Sequence, residues 1–367
     1  MSRGKIGKAI VIVAMAFLLG ACGSVRYYAQ AVRGQGSLIL HRRALDTLID
    51  DPRTDPALAD RLRHAQQARR FASRRLGLPD NRSYTRYVGL DRPYVVWNVF
   101  ATPRHSVEAE PQCFPIAGCV AYRGWFREAA AQADAAKWRA RGDDVWVGGV
   151  PAYSTLGWFA DPILSSMLRW DEDELDGTIF HELAHQLIYV KGDTAFNESF
   201  ASFVQDEGLR QWRQSRGLPP PDPSGRLMSE DFTRQVLALR ESLRALYDSG
   251  VDEAAMEQGK QQRIAAFRED YARWRDHCWP GDHRYDGWMA QPINNARLLP
   301  FGLYDQWQGA FAVMFHQAKA SWPLFYQRVR ELAGQPAAAR GQALRRLAGT
   351  PVALDQGVDL RPAMCRR

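Results

Sequence analysis

The chain has 367 residues, 46% hydrophobic and 24% charged, a balance ordinary for a globular protein with one large or two modest domains. The formal net charge is +7, and three of those charges are Arg3, Lys5 and Lys8 at the N-terminus. The rest is scattered over predicted helix faces, mostly as arginine, which excludes a nucleic-acid interface as the organising function.

Residues 1–21 read as a signal peptide, with the three basic residues, an apolar core from Ala9 to Leu19 and the small residues Gly20 and Ala21. The apolar core is too short to span a bilayer. Cys22 follows directly and resembles a lipobox cysteine, so cleavage before it and acylation of it are expected. Gly23, in place of aspartate, implies by the same resemblance an outer-membrane anchor facing the periplasm.

Residues 22–90 form an N-terminal helical segment, with helices expected over Val25–Leu48 and over Asp55–Leu76, the second stopped by Gly77 and Pro79. From residue 91 the pattern changes to strands. Tyr94–Phe100 is β-branched and aromatic throughout, as in a strand covered on both faces. Cys119–Phe126 reads as a second strand, Glu128–Arg141 as a helix and Asp144–Gly148 as a third strand, an order that predicts a mixed sheet backed by helices. Gly148–Phe159 is placed where an edge strand could hydrogen-bond an extended peptide, with Ala152, Tyr153 and Ser154 as substrate-contacting candidates.

Ile179–Gln205, IFHELAHQLIYVKGDTAFNESFASFVQ, carries the chemistry. Asp171 and Glu174 form a capping-box-like helix start, and Ile179, Leu183, Leu187 and Val190 form its apolar stripe, with Gly192 and Asp193 as the stop. His181 and His185 then lie four apart on one helix face and can grip one ion. Glu182 reaches past that ion as a general base and acid. Phe196, Phe200 and Phe203 open a second helix that carries Glu198 on another face, so an antiparallel helix pair would aim Glu198 at the histidines as third ligand. Asp193, Asp206 and Glu207 are weaker candidates for that position. Two imidazoles and one carboxylate suit a single catalytic zinc ion that keeps its fourth position open.

Residues 217–367 form a helical C-terminal region that opens on the proline-rich break Gly217–Arg226. A helical hairpin over 229–278 is predicted from Phe232, Val236, Leu239, Leu243 and Leu246 facing Ile264, Phe267, Tyr271 and Trp274. Asp276–Leu303 reads as loop, with His277 and His283 as histidines able in principle to ligate. Tyr304 and His316 are the candidates for the electrophile that stabilises the oxyanion. Cys113, Cys119, Cys278 and Cys365 form an even set in an exported chain, which predicts disulfides; Cys113 with Cys119 and Cys278 with Cys365 is one of three possible pairings.

The H-E-x-x-H at His181–His185 followed by the helical N-E-S-F at Asn197–Phe200 resembles the gluzincin arrangement. The wider run is similar to a bacterial lipoprotein family of predicted aminopeptidases, through YYAQAV at Tyr27, RPYVVWNVFA at Arg92, CFPIAGCVAYRG at Cys113, GGVPAYSTLGWF at Gly148 and NNARL at Asn294. The resemblance implies zinc-peptidase chemistry at His181, Glu182, His185 and Glu198. It departs at the edge strand, which lacks the glutamate that holds a free amine in well-known gluzincin aminopeptidases. The expectation is therefore an α+β, zincin-like peptidase core over 91–216, with a peptide or protein as substrate. Exo- and endopeptidase action on envelope proteins or peptidoglycan peptides both remain open, as does a non-catalytic peptide-binding lipoprotein. Side-chain preference and oligomeric state are not legible.

Overall fold

The computed structural model describes residues 26–114, 118–155, 157–301, 307–349 and Cys365. Cys22 and Tyr304 lie outside the described residues. The molecule is α+β with small sheets and a largely helical C-terminal half.

The helix expected over Val25–Leu48 is two helices, α1 (26–40) and α2 (Leu45–Asp50), parted by the short strand β1 (Arg43–Ala44). The break is tertiary in origin: Arg43 and Ala44 pair with Tyr87 and Arg86 of β2 (Arg86–Val88). Between them α3 (Pro56–Arg74) begins as expected, because the Asp55 carboxylate accepts the Leu58 N–H and Pro56 fits the first turn. Gly77, at φ 70, ends it.

The principal sheet is antiparallel throughout, with β3 (Val96–Thr102) between β6 (Tyr122–Trp125) and β7 (Asp144–Val150). A mixed sheet was expected here. Parallel pairing occurs in a second sheet, where β2 lies between β1 and β8 (Ile163–Leu164). The strand expected over Cys119–Phe126 splits, because β4 (Gln112–Phe114) and β5 (Gly118–Val120) form their own hairpin, cross-linked by Cys113–Cys119. Cys278–Cys365 is the second disulfide, so one of the three pairings is selected. Helix α4 (Glu128–Arg139) covers the principal sheet, packing Ala131 and Ala135 on Trp97, Val99 and Trp125.

The remaining helices are α5 (Glu172–Leu187), α6 (Thr194–Ser215), α7 (Ser224–Tyr247), α8 (Glu253–Cys278), α9 (Asp286–Ala290), α10 (Asn295–Leu298), α11 (Gln308–Gln317), α12 (Trp322–Ala333) and α13 (Ala337–Ala348). Helices α7 and α8 form the predicted hairpin, with Phe232, Val236, Leu239, Leu243, Ile264, Phe267 and Tyr271 buried in one cluster. The segment read as loop carries α9 and α10. The largest cluster runs from Leu38 to Leu344 and encloses α5 and α6. On its C-terminal side Phe200 is fully buried, 5.7 Å from the Phe311 ring and 6.1 Å from the Phe325 ring.

Truncating Phe200 to alanine should therefore remove about 3–5 kcal/mol of stability, read by chemical denaturation of the purified chain; a loss below about 1 kcal/mol, far under the range for a buried phenylalanine, would show that this cluster does not anchor α6.

Candidate metal centre

Helix α5 begins where the sequence predicts, with the Asp171 carboxylate accepting the Glu174 N–H at 2.8 Å. It ends earlier than expected, at Leu187, and Ile188 is already extended at φ −142. The reason lies seven residues on from Val190. The Asn197 side chain donates to Val190 C=O at 2.8 Å and accepts from Val190 N–H at 2.7 Å, which takes Val190 out of the helix ladder. Gly192, at φ 81, then turns the chain. Asp193 caps α6 by accepting the Phe196 N–H at 3.1 Å.

The turn brings α6 back antiparallel along α5, and His181, His185 and Glu198 converge. Their ligand atoms all lie within 4.8 Å of one another. His181 Nε2 is 3.2 Å from Glu198 Oε2, His185 Nε2 is 3.4 Å from the same oxygen, and the two Nε2 atoms are 3.1 Å apart. A tetrahedral ion with metal–ligand bonds of roughly 2.0–2.2 Å separates its ligand atoms by roughly 3.3 Å, so the triangle fits one metal ion.

The surroundings prepare these atoms as ligands. Gln205 lies two turns beyond Glu198 on α6 and its Oε1 sits 3.1 Å from His181 Nδ1. A carbonyl oxygen only accepts, so this contact keeps a proton on Nδ1, and with an ion bound the Nε2 lone pair would be the one that ligates it. Gly177 makes room for that amide, since a Cβ there would stand 3.1 Å from Gln205 Cγ. Burial pushes the Glu198 carboxyl up, but hydrogen bonding and charge from His181 and His185 outweigh it and hold the group at about 2. Glu198 is thus ionised across the neutral range.

The other acidic candidates are engaged elsewhere. Asp193 pairs with the buried Arg340 at 2.6 Å, Asp206 accepts from Gln308 at 2.8 Å, and Glu207 pairs with Arg210 at 2.7 Å. His277 and His283 are exposed and bond locally to Arg273 C=O and to Asp286. His316 is exposed near the end of α11 and is not part of the cluster.

Glu182 faces a small cavity beside the cluster, lined also by Gln35, Leu38, Tyr84, Ala152, Tyr153 and Asp161. Ala152 and Tyr153 line this cavity, and they lie beyond the end of β7 at Val150 rather than on an edge strand. Ser154 is turned to Asp161, 3.5 Å away. The Tyr153 hydroxyl donates to Gln35 Oε1 of α1. Burial raises the Asp161 carboxyl, and the Glu182 charge adds to the rise against hydrogen bonds from Thr155.

Sequence reasoning named Asn197 only as part of the N-E-S-F run, without its role as a clamp, and missed Gln205, Tyr84 and Asp161. The seven-residue spacing from Glu198 was a usable signal for Gln205; nothing local marks Tyr84. Replacing Gln205 with leucine should weaken Zn(II) binding by roughly 10- to 100-fold while the melting temperature of the metal-free protein stays put, as measured by competition with a chromophoric chelator and by thermal unfolding.

No curated protein and no solved structure matches the chain. A family model described as "Putative aminopeptidase" matches residues 26–344, a span that includes α1, the cavity and all three metal-ligand candidates. The chain belongs to this putative aminopeptidase family.

Proposed function

We propose that the protein is a zinc-dependent peptidase of the zincin type, lipid-anchored at Cys22 in the cell envelope, that removes residues from the N-terminus of peptides. The observation that carries this reading is the triangle of His181, His185 and Glu198 with Glu182 beside it. Two borderline nitrogens and one carboxylate oxygen suit zinc better than magnesium or calcium, which favour all-oxygen sites.

The ion would supply Lewis-acid polarisation of the scissile carbonyl and of the attacking water. Glu182 takes a proton from that water as its oxygen bonds to the carbonyl carbon. It then returns the proton to the leaving nitrogen as the C–N bond breaks, which yields a carboxylic acid and an amine. Gln205 holds the His181 tautomer through the cycle.

Two features support action at a chain end. Gln35 and Leu38 of α1 wall the cavity beside Glu182, which suits a terminus better than a continuous chain. Asp161 presents a buried carboxyl to the same cavity, where the Arg42 charge acts on it without a direct ion pair among the described residues, and a protonated α-amine would complement it. The two disulfides fit an oxidising compartment such as the periplasm.

The test is elemental analysis and a library of peptides with free and blocked N-termini, using the chain without its leader. Wild type should carry one zinc and prefer free N-termini. Glu182→Gln should keep the zinc and lose at least 10²-fold in turnover, in line with the loss of a general base. His185→Ala should lose the metal. Absence of zinc after repletion sinks the reading, and equal cleavage of blocked peptides converts it to an endopeptidase.

A further inference from the structure

Three residues other than glycine have positive φ among the described residues: Tyr84 at 60, and Lys319 and Ala320 at 54. Lys319 and Ala320 form an exposed turn after α11. Tyr84 is different, because it is a bulky aromatic, 3% exposed, in a region of backbone space that such residues avoid.

Its surroundings hold it there. The Tyr84 N–H donates to Asp161 C=O at 2.6 Å. The preceding loop is cinched by the buried Arg69, whose guanidinium donates to the carbonyls of Pro79, Asn81 and Ser83 at 2.9–3.0 Å. A strained conformation persists only where neighbours over-determine it in this way.

The side chain is a second feature that packing does not explain. Its ring packs in the main cluster, a task phenylalanine would perform as well, yet no hydrogen bond to its hydroxyl is found among the described residues. The hydroxyl is not among the fully buried polar atoms that lack a partner, so it opens onto space instead of being sealed in the core. The ring lines the cavity that Glu182 and Asp161 also line. Strain and an unpaired hydroxyl thus coincide at one residue, facing the candidate base.

We propose that Tyr84 is a catalytic residue whose hydroxyl donates a hydrogen bond to the scissile peptide group in the Glu182 cavity. The proposal rests on the peptidase reading above. As the water oxygen bonds to the carbonyl carbon, negative charge collects on the carbonyl oxygen, and a donor fixed in a water-poor cavity stabilises it strongly. The phenolic proton stays on Tyr84 throughout, and the proton delivered to the leaving nitrogen comes from Glu182. Burial, with Glu182 and Asp161 nearby, keeps the phenol well above its ordinary range and hence protonated at neutral pH. This is the role for which the sequence suggested Tyr304, which lies outside the described residues, and His316.

The experiment compares zinc-loaded wild type with Tyr84→Phe, which keeps the ring, on the free-N-terminus peptides. The variant should lose roughly 10²- to 10³-fold in kcat, the range for removal of one transition-state donor, with KM within about twofold, zinc content unchanged and melting temperature equal or higher. Cleavage within threefold of wild type overturns the assignment and leaves the peptidase reading standing. A loss accompanied by lower zinc content or a lower melting temperature assigns Tyr84 a structural role and also overturns it. No cleavage by either zinc-loaded protein defeats the peptidase reading, and the assignment with it.

Discussion

The candidate metal centre depends on the angle at which α6 leaves the short connection after α5. His181 and His185 are placed by one helix and need no long-range help, but Glu198 reaches them only if α6 folds back at a fixed distance and rotation. The paired hydrogen bonds between Asn197 and the Val190 backbone set that geometry. Asn197 is 1% exposed and adjacent to Glu198, so any drift of the amide carries the carboxylate with it. From the far side Arg340 of α13, itself buried, grips Asp193 at the first turn of α6. Charge-assisted bonds in a partly dry site are the strong kind, and here they oppose rotation of the helix that carries the third candidate ligand.

A second buried polar group locks the opposite end of the helix pair. Asp176 of α5, 1% exposed, accepts from His64 of α3 at 2.8 Å and from Trp212 of α6 at 2.6 Å. Burying a carboxylate is expensive unless its partners satisfy it, so this arrangement is poor evidence of added stability and good evidence of fixed register. Three helices share one acceptor and cannot slide independently. The ligand triangle sits between this lock and the Asn197 clamp.

How much of this was legible in the sequence follows from the range of the interactions. The Asp171 cap, the His181–His185 spacing, the Phe196–Phe200–Phe203 stripe and the α7–α8 seam are local patterns, and each appears as read. Glu198 was legible because a tight connection leaves few ways for two amphipathic helices to pack. The break at β1 was not, since it is set by pairing with a strand more than forty residues away. The antiparallel sheet was misread for a related reason: strand–helix–strand order suggests a parallel crossover, but β6 and β7 flank β3 on opposite sides. Tyr84 carries no pattern at all, because its meaning lies in a backbone angle and a missing partner.

The walls of the cavity beside Glu182 differ in what holds them. Tyr84, Asp161 and Glu182 belong to segments anchored in the main cluster. Helix α1 is held more lightly: Leu38 is its one buried side chain, and Gly34 and Gly36 lower its own helix propensity by about 1 kcal/mol each. Gly34 is required by the packing, because a Cβ there would overlap the Phe126 ring at 2.1 Å. What fastens α1 instead is amide chemistry. Gln35 accepts from the Tyr153 hydroxyl. Gln30 donates to Gly124 C=O at 3.2 Å and accepts from Phe126 N–H at 3.1 Å, so one side chain occupies the outer edge of β6 as a neighbouring strand would. Local opening is cheapest where buried apolar contact is least. Of the cavity's walls α1 therefore has the least to lose by local opening.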